Sequence, residues 1–139
     1  MYDTILVPTD GSDPANRAVE HALEIAEQFG ATVHAMYVVD TDRYGEPALS
    51  SAEIVLQELE EDGRDLVADI AERADGHDVA VETRVCHGAP HEEIVAYADE
   101  VDADLVILGY QGHSHRMEGH MGSVADRVAH AAGRPVLTA

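Results

Sequence analysis

Three glycines and a serine near the C-terminus are of the types that hold phosphate: Gly109, Gly112, Gly122 and Ser123, in the run GYQGHSHRMEGHMGSV. Without a Cβ, Gly109 and Gly112 let backbone N–H groups close on an anion and can take positive φ. Gly122 and Ser123 stand where a helix should begin. The first N–H groups of a helix lack intrahelical partners, and the dipole favours negative charge there. The Ser123 hydroxyl can cap that helix or donate to a phosphate oxygen. Arg116 could add a charge to the loop, and Arg127 lies one turn into the helix. A second run, Pro8-Thr9-Asp10-Gly11-Ser12, supplies in Asp10 a carboxylate that could hold a divalent ion.

Other chemistry is less well supported. His113, His115 and His120 are of a type that binds zinc or nickel, yet no Cys pair or HExxH helix accompanies them, so the run reads as a polar loop. Cys86 is the sole cysteine and excludes an intramolecular disulfide or a Cys-rich zinc site. His87 and His91 flank Pro90 as a surface pair, and His34 reads as a satisfied core or interface histidine. No histidine has a Ser or Cys partner of the kind nucleophilic catalysis needs. A Walker-type phosphate loop would need Gly-Lys followed by Ser or Thr, and the chain has no lysine. A phosphoacceptor receiver domain fails on the same ground, and its third strand would end in Cys86-His87-Gly88 rather than in Asp. With no evident general base, no catalytic residue is assigned; slow hydrolysis of a bound phosphate anhydride or ester stays as an alternative.

The elements that must position these residues alternate along the chain. Continuous apolar runs over Thr4–Pro8 and Asp104–Leu108 predict buried strands, with further strands over Thr32–Val39, Val79–Cys86 and Pro135–Thr138. Helical spacing of Ala15, Ala18, Val19, Ala22, Leu23, Ala26 and Phe29 predicts a first helix, with Asp13 as cap, Pro14 in its first turn and Gly30 as its stop. The segment Thr41–Pro47 reads as a polar loop. A long acidic helix over Ser51–Ala74 presents Val55, Leu59, Leu66, Ile70 and Ala74 inward, and Gly63 weakens its middle. Pro90 opens a third helix, and Gly122–Ala131 forms the fourth.

Strands alternating with helices imply one α/β domain over residues 1–139, a doubly wound, five-stranded parallel sheet with helices on both faces. The first and fourth strands read as buried and so central, and the alternating third as an edge. Order 3-2-1-4-5 satisfies both and opens a crevice between strands 1 and 4 at their carboxyl ends.

Composition narrows the function. Twenty-eight acidic residues face eight basic ones, all arginine, for a net charge of −20. That balance excludes a nucleic-acid footprint, which needs clustered Lys and Arg. It is expected of a protein from a salt-loaded cytoplasm, where screening removes the self-repulsion. The acidic stretch Glu58–Asp65 reads as a solvated helix face. No apolar run is long enough for a membrane helix and no signal peptide is evident, so a cytoplasmic location is expected.

Together VPTDGS after the first strand, DLVILG before the glycine loop, the G-x2-G-x9-G-S spacing and the terminal PVL resemble the universal stress protein family, along essentially the whole chain. The spacing matches its ATP-binding subgroup. The resemblance implies that Asp10 approaches the base and ribose of ATP, lined by Pro8 and Thr9, and that Val38 meets adenine through its backbone. It implies that Gly109 and Gly112 flank ribose and phosphates, while Gly122, Ser123 and Val124 hold phosphates, with Mg²⁺ or Mn²⁺ accompanying the nucleotide. It further implies a homodimer formed through the last strand and a role in stress survival. Where the family carries Arg and Gly in the loop, His113 and His115 stand here. A nucleotide-free interaction module of the same fold is the alternative.

Overall fold

In a computed structural model, which describes residues 2–41, 50–112 and 121–139, the apolar runs become five strands and the amphipathic stretches four helices. In chain order these are β1 (Thr4–Pro8), α1 (Asp13–Phe29), β2 (Thr32–Asp40), α2 (Ser50–Asp75), β3 (Val81–Gly88), α3 (Pro90–Glu100), β4 (Leu105–Leu108), α4 (Ser123–Ala131) and β5 (Val136–Thr138). All strand pairs are parallel. The sheet order is β3-β2-β1-β4-β5, as the burial pattern predicts.

Alternation along the central strands feeds two cores. Ile5, Val7, Val33, Ala35 and Ile107 point to one face, against Val19 and Leu23 of α1 and Val67 and Ile70 of α2. Leu6, Met36, Val106 and Leu108 point to the other, against Ile94 and Ala98 of α3 and Val128 of α4. A strand buried on both faces needs continuous apolar sequence, which is why β1 and β4 show no polar alternation.

Several boundaries and burial assignments differ from the expectation. Ser12, not Asp13, caps α1: its Oγ accepts from the Ala15 N–H at 3.3 Å, and Asp13 is the first helical residue. Gly30 does end that helix in the left-handed conformation, at φ 67°. Phe29, placed in the inward stripe, is half exposed and packs edge-on against Tyr2. In α2, Val55 is exposed, whereas Leu56 and Val67 join Ile70 and Ala74 in the core. Gly63 has a packing reason: a Cβ there would lie 2.2 Å from Cδ1 of Tyr37, so the glycine admits the tyrosine ring. β3 runs Val81–Gly88, later than expected, because Val79 is spent on the core before pairing begins. The polar loop falls largely on residues 42–49, outside the described residues.

At the amino end of the sheet, Asp104 ties β1 to β4. Its Oδ2 accepts from the N–H groups of Asp3 and Thr4 at 2.8 and 3.0 Å. Those two bonds hold its carboxyl below the ordinary carboxylate range. A lowered folded-state pKa means the contribution is complete above the unfolded value, about pH 4, and is lost as pH falls through the lower folded value. Asp104→Asn is therefore expected to lower the urea midpoint at pH 7 and to lower it less at pH 3, below the unfolded value. A deficit equal at both pH values would show that the charge plays no part.

Candidate functional site

The carboxyl ends of β1 and β4 part where the chain direction of winding reverses, and a cleft of ≈ 800 Å³ opens there. The structure brings Pro8, Thr9, Asp10, Val38, Gly109, Gly112, Gly122, Ser123 and Val124 to its walls, whereas Arg127, one turn into α4, is not among the lining residues. Its size falls within the roughly 300–1,000 Å³ typical of small-molecule sites. His113, His115, Arg116 and His120 lie outside the described residues.

The turn after β1 is held by its own side chains. Thr9 Oγ1 accepts from the Gly11 N–H at 3.1 Å, and Asp10 Oδ1 accepts from the Ser12 N–H at 3.0 Å. Thr9 N–H donates to the Met36 carbonyl at 2.9 Å, which fixes the turn to β2. The other Asp10 oxygen faces Gly112, where a Cβ would come within 2.5 Å of it.

The glycines act through close approach rather than through left-handed backbone. Gly11, Gly30, Gly88 and Gly133 have positive φ; Gly109 and Gly112, where it was expected, do not. Gly109 instead lies against the first turn of α1, where a Cβ would meet Ala15 N at 2.7 Å and the Pro14 carbonyl carbon at 2.8 Å. Gly122 N–H donates to the Tyr110 carbonyl at 2.8 Å, closing the neck of the loop between β4 and α4.

Two helix N-termini meet the cleft differently. The first turn of α1 is capped by Ser12. α4 has Gly122 at its N-cap, with no side-chain cap, and its first residues Ser123, Val124 and Ala125 line the cleft. An N-terminus without a side-chain acceptor, at the positive end of the helix dipole, suits an anion.

Sequence reasoning missed the opposite wall. Tyr37 and Asp40 of β2 line the cleft with Leu59, Asp62, Asp65, Leu66 and Asp69 of α2. Asp62 and Asp65 are exposed, as a solvated face should be, yet that face borders the cleft. The i, i+3, i+7 spacing of Asp62, Asp65 and Asp69 was the available signal for one shared helix face.

Remaining titratable groups serve the frame. His34 is buried, its Nδ1 3.0 Å from the Tyr97 hydroxyl and its Nε2 3.4 Å from Glu82, the satisfied core histidine expected. Burial raises the Tyr97 pKa despite the Arg84 guanidinium over its ring. Burial, then Glu93, raises that of Cys86, so its thiol is kept from the nucleophilic thiolate form. His87 and His91 each lie beside a glutamate, Glu60 and Glu92 respectively. Among the described residues no group of three His, Cys, Asp or Glu could hold a metal ion, and no helix is long and apolar enough to cross a membrane.

A doubly wound α/β domain with a cleft at the switch point is the class that this fold and site define. The universal stress protein family model matches residues 1–139, and the chain belongs to that family. A universal stress protein of Methanocaldococcus jannaschii is 38% identical over 138 residues, spanning 99% of this chain and 81% of the relative. The structure of a universal stress protein from Lactobacillus plantarum superimposes with a TM-score of 0.91 at 29% identity, covering 99% of this chain and 97% of that one. A universal stress protein crystallised in complex with cAMP matches at a TM-score of 0.73 and 30% identity, covering 99% of this chain and 96% of that one.

Proposed function

We propose that this protein is an ATP-binding regulatory member of the stress response, holding the nucleotide in the cleft between β1 and β4. The observation that carries the reading is the N-terminus of α4, which Gly122 leaves without a side-chain cap and which opens onto a cavity of nucleotide size. Gly122, Ser123 and Val124 would hold phosphates through backbone N–H groups and the serine hydroxyl, with Gly109 and Gly112 flanking ribose and phosphates. Pro8, Thr9, Asp10 and Val38 would line the base and ribose. The cAMP complex of a relative supports an adenine nucleotide as the ligand class. Mg²⁺ or Mn²⁺ would enter with the phosphates, offsetting their charge. The half-exposed edge strand β5 suits a homodimer contact, and a salt-rich cytoplasm suits the charge of −20.

Gly122→Leu tests the reading. Gly122 is buried, and a Cβ there would lie 3.2 Å from Gln111 Cα and 3.3 Å from the Tyr110 carbonyl oxygen, both backbone. A branched side chain must push into the neck of the loop and the phosphate end of the cleft. With protein purified in molar KCl and Mg²⁺, micromolar ATP binding by calorimetry is expected, and the variant should weaken it by roughly a hundredfold, about 2.7 kcal/mol. A folded wild type that ignores ATP would replace this reading with the nucleotide-free interaction module.

A further inference from the structure

We infer that Gly63 is a positioning residue for the base end of the cleft: it seats the Tyr37 ring in a notch of α2 and so keeps that ring out of the space a nucleobase would fill. The inference rests on the nucleotide reading above and deepens it. A glycine inside a 26-residue helix needs a reason, because its freer backbone favours the helix less than alanine does. Here the reason is one side chain. A Cβ on Gly63 would meet three atoms of the Tyr37 ring, Cδ1 at 2.2 Å, Cγ at 2.7 Å and Cε1 at 2.8 Å. Cγ is the root of the ring, so turning the ring about its own axis leaves that contact in place.

Leu59 and Leu66 lie one turn to either side of Gly63 on the same helix face, and both line the cleft with Tyr37. Gly63 is buried and is not among the lining residues. The ring therefore stands between the notch and the cavity. Tyr37 packs on the sheet face that α1 and α2 cover, and the next residue of β2 is Val38, whose backbone would meet adenine. Filling the notch leaves two responses. Either α2 lifts from the sheet, against the buried Val67, Ile70 and Ala74, or the half-buried Tyr37 swings towards the cleft. The second breaks into no packed core. A base that shares the cleft with a displaced ring loses room, whatever phosphates it carries.

The experiment is calorimetric titration of the full chain with adenosine and with magnesium-complexed ATP in molar KCl. Wild type, Gly63→Ala, Tyr37→Ala and the double variant are compared, each checked for folding by circular dichroism and urea unfolding. Gly63→Ala is expected to weaken both ligands by the same factor, about tenfold, because the crowded end is the base end. In the Tyr37→Ala background the same substitution should change neither affinity by more than about twofold, since the ring it displaces is gone. A purely structural role would move the urea midpoint and leave adenosine binding as it was. That result would overturn the inference and leave the nucleotide site standing. So would an equal loss in both backgrounds, or a Gly63→Ala variant that does not fold, which would mean that the ring cannot move into the cleft. A folded wild type that binds neither adenosine nor ATP would sink the nucleotide reading itself, and this inference with it.

Discussion

Gly109→Ala is expected to destabilise the fold by about 3 kcal/mol, a large loss for one methyl group. The added Cβ would sit 2.7 Å from Ala15 N and 2.8 Å from the Pro14 carbonyl carbon. Both are backbone atoms in the first turn of α1, so no rotamer change relieves the contact. Relief requires α1 to lift from the end of β4, against the packing of Ala18, Val19 and Ala22 on Ile5, Val7 and Ile107. It also disturbs the cap, because Ala15 N–H donates to Ser12 Oγ, and losing a cap costs about 1 kcal/mol by itself. Gly112→Ala is the informative contrast. Its clash is with Asp10 Oδ2, a side-chain atom rather than backbone, and moving it strains the bond from Ser12 N–H to Oδ1, so that substitution should reshape the cleft at a cost of about 1 kcal/mol. Urea unfolding of both variants in molar KCl separates them. A Gly109→Ala midpoint equal to that of Gly112→Ala would show that the α1–β4 approach is not the constraint.

The same contrast explains what sequence alone could show. Gly109 and Gly112 were recognisable as functional candidates because glycines directly after a buried strand are few and conspicuous. Their packing task was not: close approach to an anion was expected, with positive φ open to them, whereas the structure shows close approach to the first turn of α1 and to Asp10, without positive φ. The strand order followed from local signals, since β1 and β4 lack polar alternation and β3 has it. The acidic wall of the cleft was hidden for a different reason. Amphipathic spacing in α2 says which residues face the sheet, but not whether the polar face beside them looks onto bulk water or over a crevice. Val55 and Leu56 show the same limit in the core. Both are apolar and adjacent, and only the phase of packing decides that Leu56 is buried and Val55 exposed. Gly63 looked like a weakness in a helix until the Tyr37 ring was placed against it.

Raising KCl from about 0.01 M to 1 M should stabilise this protein by about 5 kcal/mol or more, enough to decide whether it is folded. The net charge is −20, with eight arginines against twenty-eight carboxylates. Some of those arginines are committed to local pairs, such as Arg84 with Glu100 and Arg134 with Asp99, and exposed pairs of this kind contribute little. The long-range repulsion is the larger effect. Taking the folded domain as a sphere of roughly 18 Å radius and the unfolded chain as one of roughly 50 Å, folding at 0.01 M salt works against on the order of 20 kcal/mol of extra repulsion. At 1 M the same calculation leaves about 5 kcal/mol. The difference is about 15 kcal/mol, and proton uptake and cations gathered at the surface remove much of it at low salt, so the measured gain should lie between about 5 and 15 kcal/mol. The shape of the curve identifies the cause. Screening follows the Debye length, so about half the gain should arrive below about 0.15 M, whereas exclusion of salt from the surface would grow steadily into the molar range. Urea midpoints measured across that span at pH 7 make the test. A flat response would mean that the excess carboxylates do not govern stability, and a purely linear one would replace charge screening with surface exclusion as the reason.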